Sequence, residues 1–364
     1  MRIDCLYNLS FGRGPSGPAR RGVIYLLGVL LLASCAKNII HPSEPERMVF
    51  SAVASHSTKN IITTTNYPLN EPFLVEAVHY PAGKTPAEGE VLMSSVTVSY
   101  DLTDGLWKTE EDYFWPMNGM ARFYAASPVT PQVSFSAQGG MEADWEIKTD
   151  DQAQIDLCFA ETIEDCMGHS AQVPVVFSHA LSQICFKART LKSYSSAQIQ
   201  DNIVQANVIN IYLDSVKVEG IHCAGHFTQN PLEWTYSTTE KANYTVFRST
   251  EGLSLNCDRY DTPILEPLVT LLLIPQTLPA DARVQEWHHA VVRTSQTDTS
   301  TGTIVSDETY TISKTSILPL SQYCKAWRMD HKYTFRISVG LDDTEIIVAK
   351  TDWTETKEII LGDE

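Results

Sequence analysis

Short runs in which apolar and polar residues alternate constrain the fold of this chain more than any other feature. Val96, Val98 and Tyr100 share one face of such a run, and Thr97 and Ser99 occupy the other face. A period of two is typical of a half-buried β-strand. Comparable runs recur between clusters of Gly, Pro and Asn, and most apolar stretches are short. The sequence therefore predicts an all-β protein.

The same reasoning predicts the positions of individual strands. Strands are expected at residues 48–55, 73–80, 91–100, 155–159, 208–218, 245–248, 268–274, 309–313, 333–339, 345–349 and 358–361. Between residues 173 and 188 the inward-facing phase shifts, which predicts a β-bulge near Ser182. One short helix is predicted at residues 196–202.

Many short strands in a chain of this length favour more than one β-sandwich. Hydrophobic residues make up 43% of the sequence, which is enough for two cores. A mostly polar interruption at residues 161–172 is the best candidate for a boundary. We therefore predict two tandem β-sandwich domains, at residues 48–168 and 169–364.

The N-terminal residues have the pattern of a secretory signal. Arg20 and Arg21 precede an apolar segment, residues 23–33, which is too short to cross a bilayer as a helix of about 20 residues. The segment ends in Leu-Ala-Ser-Cys, which resembles the bacterial lipobox and predicts removal of residues 1–34 and lipidation of Cys35. More than one acyl chain on Cys35 would anchor the protein stably to a membrane without spanning it. The alternative is an ordinary signal peptide with an incidental cysteine.

The polar residues that follow Cys35 predict a flexible tether at residues 35–47, with two prolines. Loss of residues 1–34 removes four arginines and one aspartate, which moves the formal net charge from -17 to -20. Such an acidic surface repels nucleic acid, and the sequence has no basic stripe that would reverse this. The charge therefore excludes nucleic acid as a partner.

Six cysteines follow Cys35, and an exported protein can form disulfides. Cys158 and Cys166 are close enough in sequence to pair. The alternative is that several of the six are small buried hydrophobic residues.

No catalytic motif was found. His222, Cys223 and His226 offer three metal ligands within five residues, but coincidence on a strand and loop is favoured over a metal site or a metal-dependent enzyme. His288 and His289 are adjacent, so on a strand they point to opposite faces. We predict no catalytic residue, no metal and no cofactor.

Aromatic residues crowd into residues 107–124, where core packing is favoured over a platform for sugars. Trp234 and Trp287 lie outside the predicted strands and are the candidates for an exposed glycan-binding surface.

Several segments together resemble the fimbrillin family of Bacteroidales surface proteins. The segments run in family order from about residue 48: Trp107, Tyr113-Phe114-Trp115-Pro116, Phe123 to Pro128, Asp156 to Ala160, Phe177 to Ile184, Leu271 to Gln276, Trp327, Tyr333-Thr334-Phe335 and Trp353. The resemblance implies two tandem transthyretin-like, Greek-key β-sandwich domains. It also implies a fimbrial (pilus) subunit, anchor or tip component that acts in cell adhesion at the outer membrane.

The resemblance further implies assembly with other fimbrial subunits by strand exchange. A trypsin-like protease would remove an N-terminal segment with the first strand, and a strand from another subunit would fill the groove. Lys59 is the basic residue that closely follows the predicted first strand, and Arg47, which precedes that strand, is the other processing candidate. Residues 354–364 would be either a donor strand or the closing strand of their own domain. The alternative function is a monomeric surface lipoprotein that binds glycan or a host protein.

Overall fold

The computed structural model describes residues 45–54, 67–136, 139–237, 239–257, 270–352 and 359–361. Cys35 and Lys59 lie outside these residues. The described residues form strands almost throughout, with three short 3-10 helices at Pro86–Glu88, Asp151–Ala153 and Leu320–Gln322. The all-β prediction is therefore confirmed, while the Greek-key order of the connections stays a prediction.

The strands are numbered in chain order. They are β1 (Phe50–Ala54), β2 (Phe73–Tyr80), β3 (Glu90–Asp101), β4 (Leu106–Thr109), β5 (Met120–Ser127), β6 (Val133–Phe135), β7 (Met141–Glu146), β8 (Cys158–Asp165), β9 (Val173–His179), β10 (Ser182–Thr190), β11 (Ser196–Gln200), β12 (Ile203–His222), β13 (Ala224–Thr228), β14 (Glu233–Tyr236), β15 (Lys241–Ser254), β16 (Leu271–Leu273), β17 (Arg283–Asp298), β18 (Ile304–Pro319), β19 (His331–Val339), β20 (Thr344–Asp352) and β21 (Ile359–Leu361). Each predicted strand overlaps an observed one.

Seven of these strands close a barrel in the order β1-β4-β3-β2-β5-β8-β9. Successive side chains of a strand point alternately into and out of the barrel, so every second residue of each strand contributes to the interior. The rings of Phe50, Phe73 and Phe123 are buried there, and Phe50 makes edge contacts with the other two at centroid distances of 6.3 and 6.1 Å. The aromatic segment is therefore mainly core, as predicted, although Phe114 is 42% exposed.

Three further sheets surround a second hydrophobic core. Their strand orders are β16-β10-β19-β20-β21, β11-β12-β17-β18 with β15 also paired to β12, and β14-β13-β7-β6. The last sheet joins two strands that precede β8 in the chain to two strands that follow β12. Strands that are far apart in the sequence are therefore neighbours in this sheet.

The polar residues 161–172 contain the end of β8 and its connection to β9, and both strands belong to the barrel. The chain leaves the barrel later, through Ala180 and Leu181, which are fully buried. A domain division at residue 168 stays a prediction, but the change of sheet lies between β9 and β10. The β-bulge predicted near Ser182 is wrong, because the shift of phase marks this change of sheet.

The helix predicted at residues 196–202 is also wrong. Residues Ser196–Gln200 form β11, which pairs with β12 over five residues. Asp201 and Asn202 make the connecting turn with φ angles of 49° and 64°. Asp and Asn tolerate this left-handed region, and such a two-residue turn matches the twist of a hairpin. Pairing with a neighbouring strand therefore outweighs the local helical preference.

Cys158 and Cys166, which could have paired, are both free. Cys158 begins β8 and Cys166 follows its last residue. Eight residues of strand span about 26 Å, whereas a disulfide needs Cα atoms within about 7 Å. Both thiols are buried, as the alternative interpretation expected.

Candidate functional site at the first strand

Strand β1 completes the barrel between β9 and β4, but its two sides are held unequally. It pairs with β9 in parallel through all five residues, from Phe50 opposite Val173 to Ala54 opposite Phe177. Its pairing with β4 consists of one residue pair, Phe50 with Trp107. The barrel is therefore closed by a short strand with one well-paired edge.

Two apolar side chains fix β1 in the barrel. Met48, which directly precedes the strand, and Phe50 are 0% and 1% exposed, whereas Ser51, Ala52 and Val53 are half-buried. Removing a buried Phe side chain costs about 3–5 kcal/mol, because the cavity it leaves collapses only in part. Without β1 the barrel would keep an apolar groove with two open strand edges, which is costly until another strand fills it.

A second, antiparallel contact holds the residues just before β1. The N–H of Met48 donates to the carbonyl of Tyr113 at 2.7 Å, and the N–H of Trp115 donates to the carbonyl of Glu46 at 2.9 Å. Arg47 lies opposite Phe114 between these two bonds. We call this contact between residues 46–48 and residues 109–115 the clasp.

The side chain of Arg47 is bound within the clasp. Its guanidinium lies 2.8 Å from the Asp112 carboxylate and donates to the carbonyl of Thr109 at 3.2 Å. A trypsin-like protease needs the arginine side chain in its specificity pocket and the neighbouring backbone extended in its cleft. In the folded chain both are engaged, so Arg47 is a poor protease site while the clasp is closed.

His169 covers the clasp from the connection between β8 and β9. Its ring stacks on the Trp115 indole at a centroid distance of 4.0 Å and an interplanar angle of 3°. Its Nε2 atom lies 3.6 Å from the Glu46 carboxylate. The sequence analysis did not single out Asp112 or His169, because both lie far in sequence from residues 46–48.

The two tryptophans proposed for glycan contact have different surroundings. Trp234 is buried, and its indole N–H donates to the carbonyl of Ala180 at 2.8 Å, so its prediction as an exposed residue is wrong. Trp287 is half-buried beneath the Lys217 ammonium, 5.2 Å from the ring centroid. Trp145 in β7, which sequence reasoning missed, lines two clefts of about 370 and 400 Å³.

The histidines between residues 222 and 226 have separate partners. His222 stacks on Tyr236 at 4.8 Å, and burial lowers the pKa of its imidazole. His226 is exposed, and its Nδ1 atom lies 2.8 Å from the Asp144 carboxylate. In the part of the chain that the structure describes, this segment does not bring its ligand atoms together.

The final described strand, β21, pairs with β20, with Leu361 opposite Val348. The residues near the C-terminus thus join a sheet of their own chain. Across residues 45–352 and 359–361, gaps aside, no helix has the length and apolar character needed to cross a membrane.

The fimbrillin-like family matches residues 61–353, which is most of the chain. The chain belongs to the fimbrillin-like family. This assignment makes the protein a fimbrial-type structural protein rather than an enzyme. No curated protein matches the chain.

Solved structures similar to this fimbrillin-like chain include two from Bacteroides species. A candidate cell adhesion protein from Bacteroides uniformis has 12% identity and a TM-score of 0.50, and the match covers 85% of this chain and 98% of that one. Another from Bacteroides ovatus has 14% identity and a TM-score of 0.46, over 86% and 99% of the two chains. Because the sequence identity is only 12%, the similarity to the Bacteroides uniformis protein shows that the two proteins share a fold and shows nothing more.

Proposed function

We propose that this protein is a lipid-anchored fimbrial subunit or fimbrial anchor or tip component of the cell outer membrane, and that it contributes to cell adhesion. The family assignment and the similarity to a candidate cell adhesion protein support this proposal. A lipid on Cys35, of which palmitate is the expected acyl group, would hold the chain at the surface. Other fimbrial subunits would be its partners.

The uneven pairing of β1 is the observation that carries the assembly part of the proposal. A strand with five residue pairs on one side and one on the other can be replaced by a strand from another subunit without rebuilding the sheets. An incoming strand would need apolar residues at the positions of Met48 and Phe50. The pairing of β21 with β20 favours its role as a closing strand of its own sheet.

The clasp gives a reason to prefer Lys59 over Arg47 as the processing site. The side chain of Arg47 is bound by Asp112 and Thr109, and the backbone on either side of it is hydrogen-bonded to Tyr113 and Trp115, so cleavage there requires the clasp to open first. Cleavage at Arg47 would also leave β1 in the barrel, whereas cleavage after Lys59 would detach it from the chain. We therefore propose that Lys59 is cut for assembly.

Three variants expressed in the native cells test these steps. Replacing Cys35 with Ala should abolish labelling by palmitate, and continued labelling would contradict the anchor. Lys59→Gln should leave full-length subunit and prevent polymer formation. Lys84→Gln, which changes an exposed lysine between β2 and β3, is the matched control and should polymerise normally. Polymers of Lys59→Gln that equal those of the control would contradict cleavage at Lys59.

Trp145 favours a second candidate function, a monomeric surface lipoprotein that binds glycan or a host protein. Trp145 is half-buried and lines both clefts, together with polar side chains such as Asp144, Gln132 and His226. A sugar face stacked on an indole, with hydroxyls bound by such groups, suits this arrangement. Binding on a glycan array that Trp145→Ala loses and Trp287→Ala keeps would support this function, and no binding by the parent protein would contradict its glycan form.

A further inference from the structure

Three potential metal ligands converge where β8 begins and β9 ends. Cys158 and His179 lie directly opposite each other in this strand pair, and Asp156 precedes β8 by two residues. The Nδ1 atom of His179 is 2.6 Å from Asp156 Oδ2 and 3.5 Å from Cys158 Sγ. One ligand atom from each of the three residues lies within 4.8 Å of the others.

Asp330, in the turn before β19, lies next to this cluster. Its carboxyl group accepts a hydrogen bond from the backbone N–H of His179, and its own N–H donates to the carbonyl of Leu181 at 3.1 Å. Burial raises the pKa of Asp330. The charge of His179 lowers this pKa, and the charge of Asp156 raises it. Asp330 is thus within electrostatic reach of both residues.

Some buried oxygens around this cluster lack a hydrogen-bond partner, and the charges of its groups do not cancel. His179 is 0% and Cys158 7% exposed, so the groups have little access to water. One buried oxygen of Asp156 and one of Asp330 have no hydrogen-bond partner. Two carboxylates beside one imidazole carry excess negative charge, and buried charges in proteins are usually paired or bound to metal.

We propose that Asp156, Cys158 and His179 form a binding site for a divalent transition-metal ion of the zinc type. Imidazole nitrogen, thiolate sulfur and carboxylate oxygen are the ligands that zinc takes, and with three protein ligands a water molecule completes the four. On binding, the Cys158 thiol and a protonated imidazole would each release one proton to solvent. Burial raises the pKa of the Cys158 thiol to about 12, so the metal would have to displace a firmly held proton.

The position of the cluster indicates what the metal would stabilise. His179 is followed at once by Ala180 and Leu181, through which the chain leaves the barrel. This segment is already fixed from the second core, because Trp234 donates to the Ala180 carbonyl and Ser182 donates to the Arg328 carbonyl, both at 2.8 Å. A metal held by Asp156, Cys158 and His179 would fix the end of β8 and β9 at which the chain leaves the barrel. The alternative is a metal-free ion pair of Asp156 and His179 beside a buried thiol.

Cobalt titration of the purified, untagged protein tests the site, because a thiolate bound to Co²⁺ gives a sulfur-to-metal charge-transfer band. We expect the band to saturate at one Co²⁺ per chain and Zn²⁺ to displace it. Cys158→Ser should remove the band, and Asp156→Asn should weaken binding at least tenfold. Cys324→Ser, which changes another buried free thiol, is the matched control and should bind as the parent does. No band, or an equal band in Cys158→Ser, would overturn the proposal.

A measurement on the parent protein covers the case in which Cys158→Ser does not fold. Alkylation of each cysteine is followed by peptide mass spectrometry with and without Zn²⁺. Zinc should slow alkylation of Cys158 at least tenfold relative to Cys324, because a bound thiolate is shielded and the native state is stabilised. Equal slowing of both cysteines, or none, would overturn the proposal.

Discussion

The chain pairs parallel strands in two described places, and the two places differ in how firmly the strand is held. In the barrel, β1 has five residue pairs with β9 and one with β4. In the next sheet, β10 has eight parallel pairs with β19 and three antiparallel pairs with β16. Strand β10 therefore lies inside its sheet, whereas β1 closes its barrel through one main edge.

The difference follows from the side chains of the two strands. A parallel strand flanked and covered on both faces is apolar along most of its length. In β10, alternate residues from Ile184 to Ala188 are buried, and Gln183 on the other face is 7% exposed. Among residues 50–53 of β1 the deep burial is confined to Phe50, with Met48 just before the strand. Strand β10 is thus held on both edges and both faces, and the weaker hold on β1 is what the proposed strand exchange requires.

The largest expected effect comes from breaking the core beside β10. Phe186 stacks on Phe335 at a centroid distance of 5.2 Å and is 2% exposed. Phe186→Ala should lower the free energy of unfolding by about 3–5 kcal/mol, measured by urea denaturation. A loss below about 1 kcal/mol would mean that β10 is not the fixed element described here.

The matching change in the exchangeable strand should have a smaller and more local effect. Phe50→Ala should cost about 3 kcal/mol, the low end for a buried Phe, because a short strand can relax around the cavity. Native-state hydrogen exchange should accelerate at the amides of β1 and β9 and stay unchanged at those of β10 and β19. Equal acceleration in both strand pairs would contradict the proposed difference.

The clasp can be weakened without touching the core. Asp112→Asn removes the carboxylate that binds Arg47, a half-exposed ion pair whose loss should cost about 0.5–1 kcal/mol. Trypsin should then cut after Arg47 a few times faster, as measured by mass spectrometry of the released fragment. Asp307→Asn, which breaks the distant ion pair with Arg293, is the control and should leave this rate unchanged. Equal rates in the two variants would contradict the clasp.

The smallest effect concerns the hairpin of β3 and β4, next to β1. The Lys108 ammonium, 2.6 Å from Asp101, lowers the pKa of this carboxyl to about 2. Because this folded-state pKa lies below the unfolded value of about 3.9, the stabilisation is present above pH 4 and is lost as the pH falls towards 2. An NMR titration should find the Asp101 carboxyl still ionised at pH 3, and a midpoint near 4 would contradict the pairing.

The sequence predicts the strands better than it predicts their arrangement. Alternation located β2 at its observed bounds, because one face of that strand meets the barrel interior. It missed β17 as a whole, although His288 and His289 do point to opposite faces: His288 is buried beside Glu286, and His289 stacks on Tyr212. In β11 the residues carry almost no apolar signal, since all five are exposed, and pairing with β12 decides their structure.

The candidate site was predictable in part. The first strand and the basic residues near it could be found from local sequence, as could the apolar residues that anchor it. The partners in the clasp, Asp112 and His169, could not, because they meet residues 46–48 only in the folded chain. The same holds for Asp156, Cys158 and His179, which a strand pairing brings together across 21 to 23 residues.

The central claim is that β1 leaves the barrel when the subunit assembles, and N-terminal mass spectrometry tests it most directly. Protein sheared from the surface of intact cells would be compared with protein that stays in the membrane fraction. We expect the sheared subunits to begin at Asn60, which places the cut after Lys59 and removes the first strand. Chains that begin at lipidated Cys35 in both fractions would contradict strand exchange and favour an uncut anchor or a monomeric surface lipoprotein.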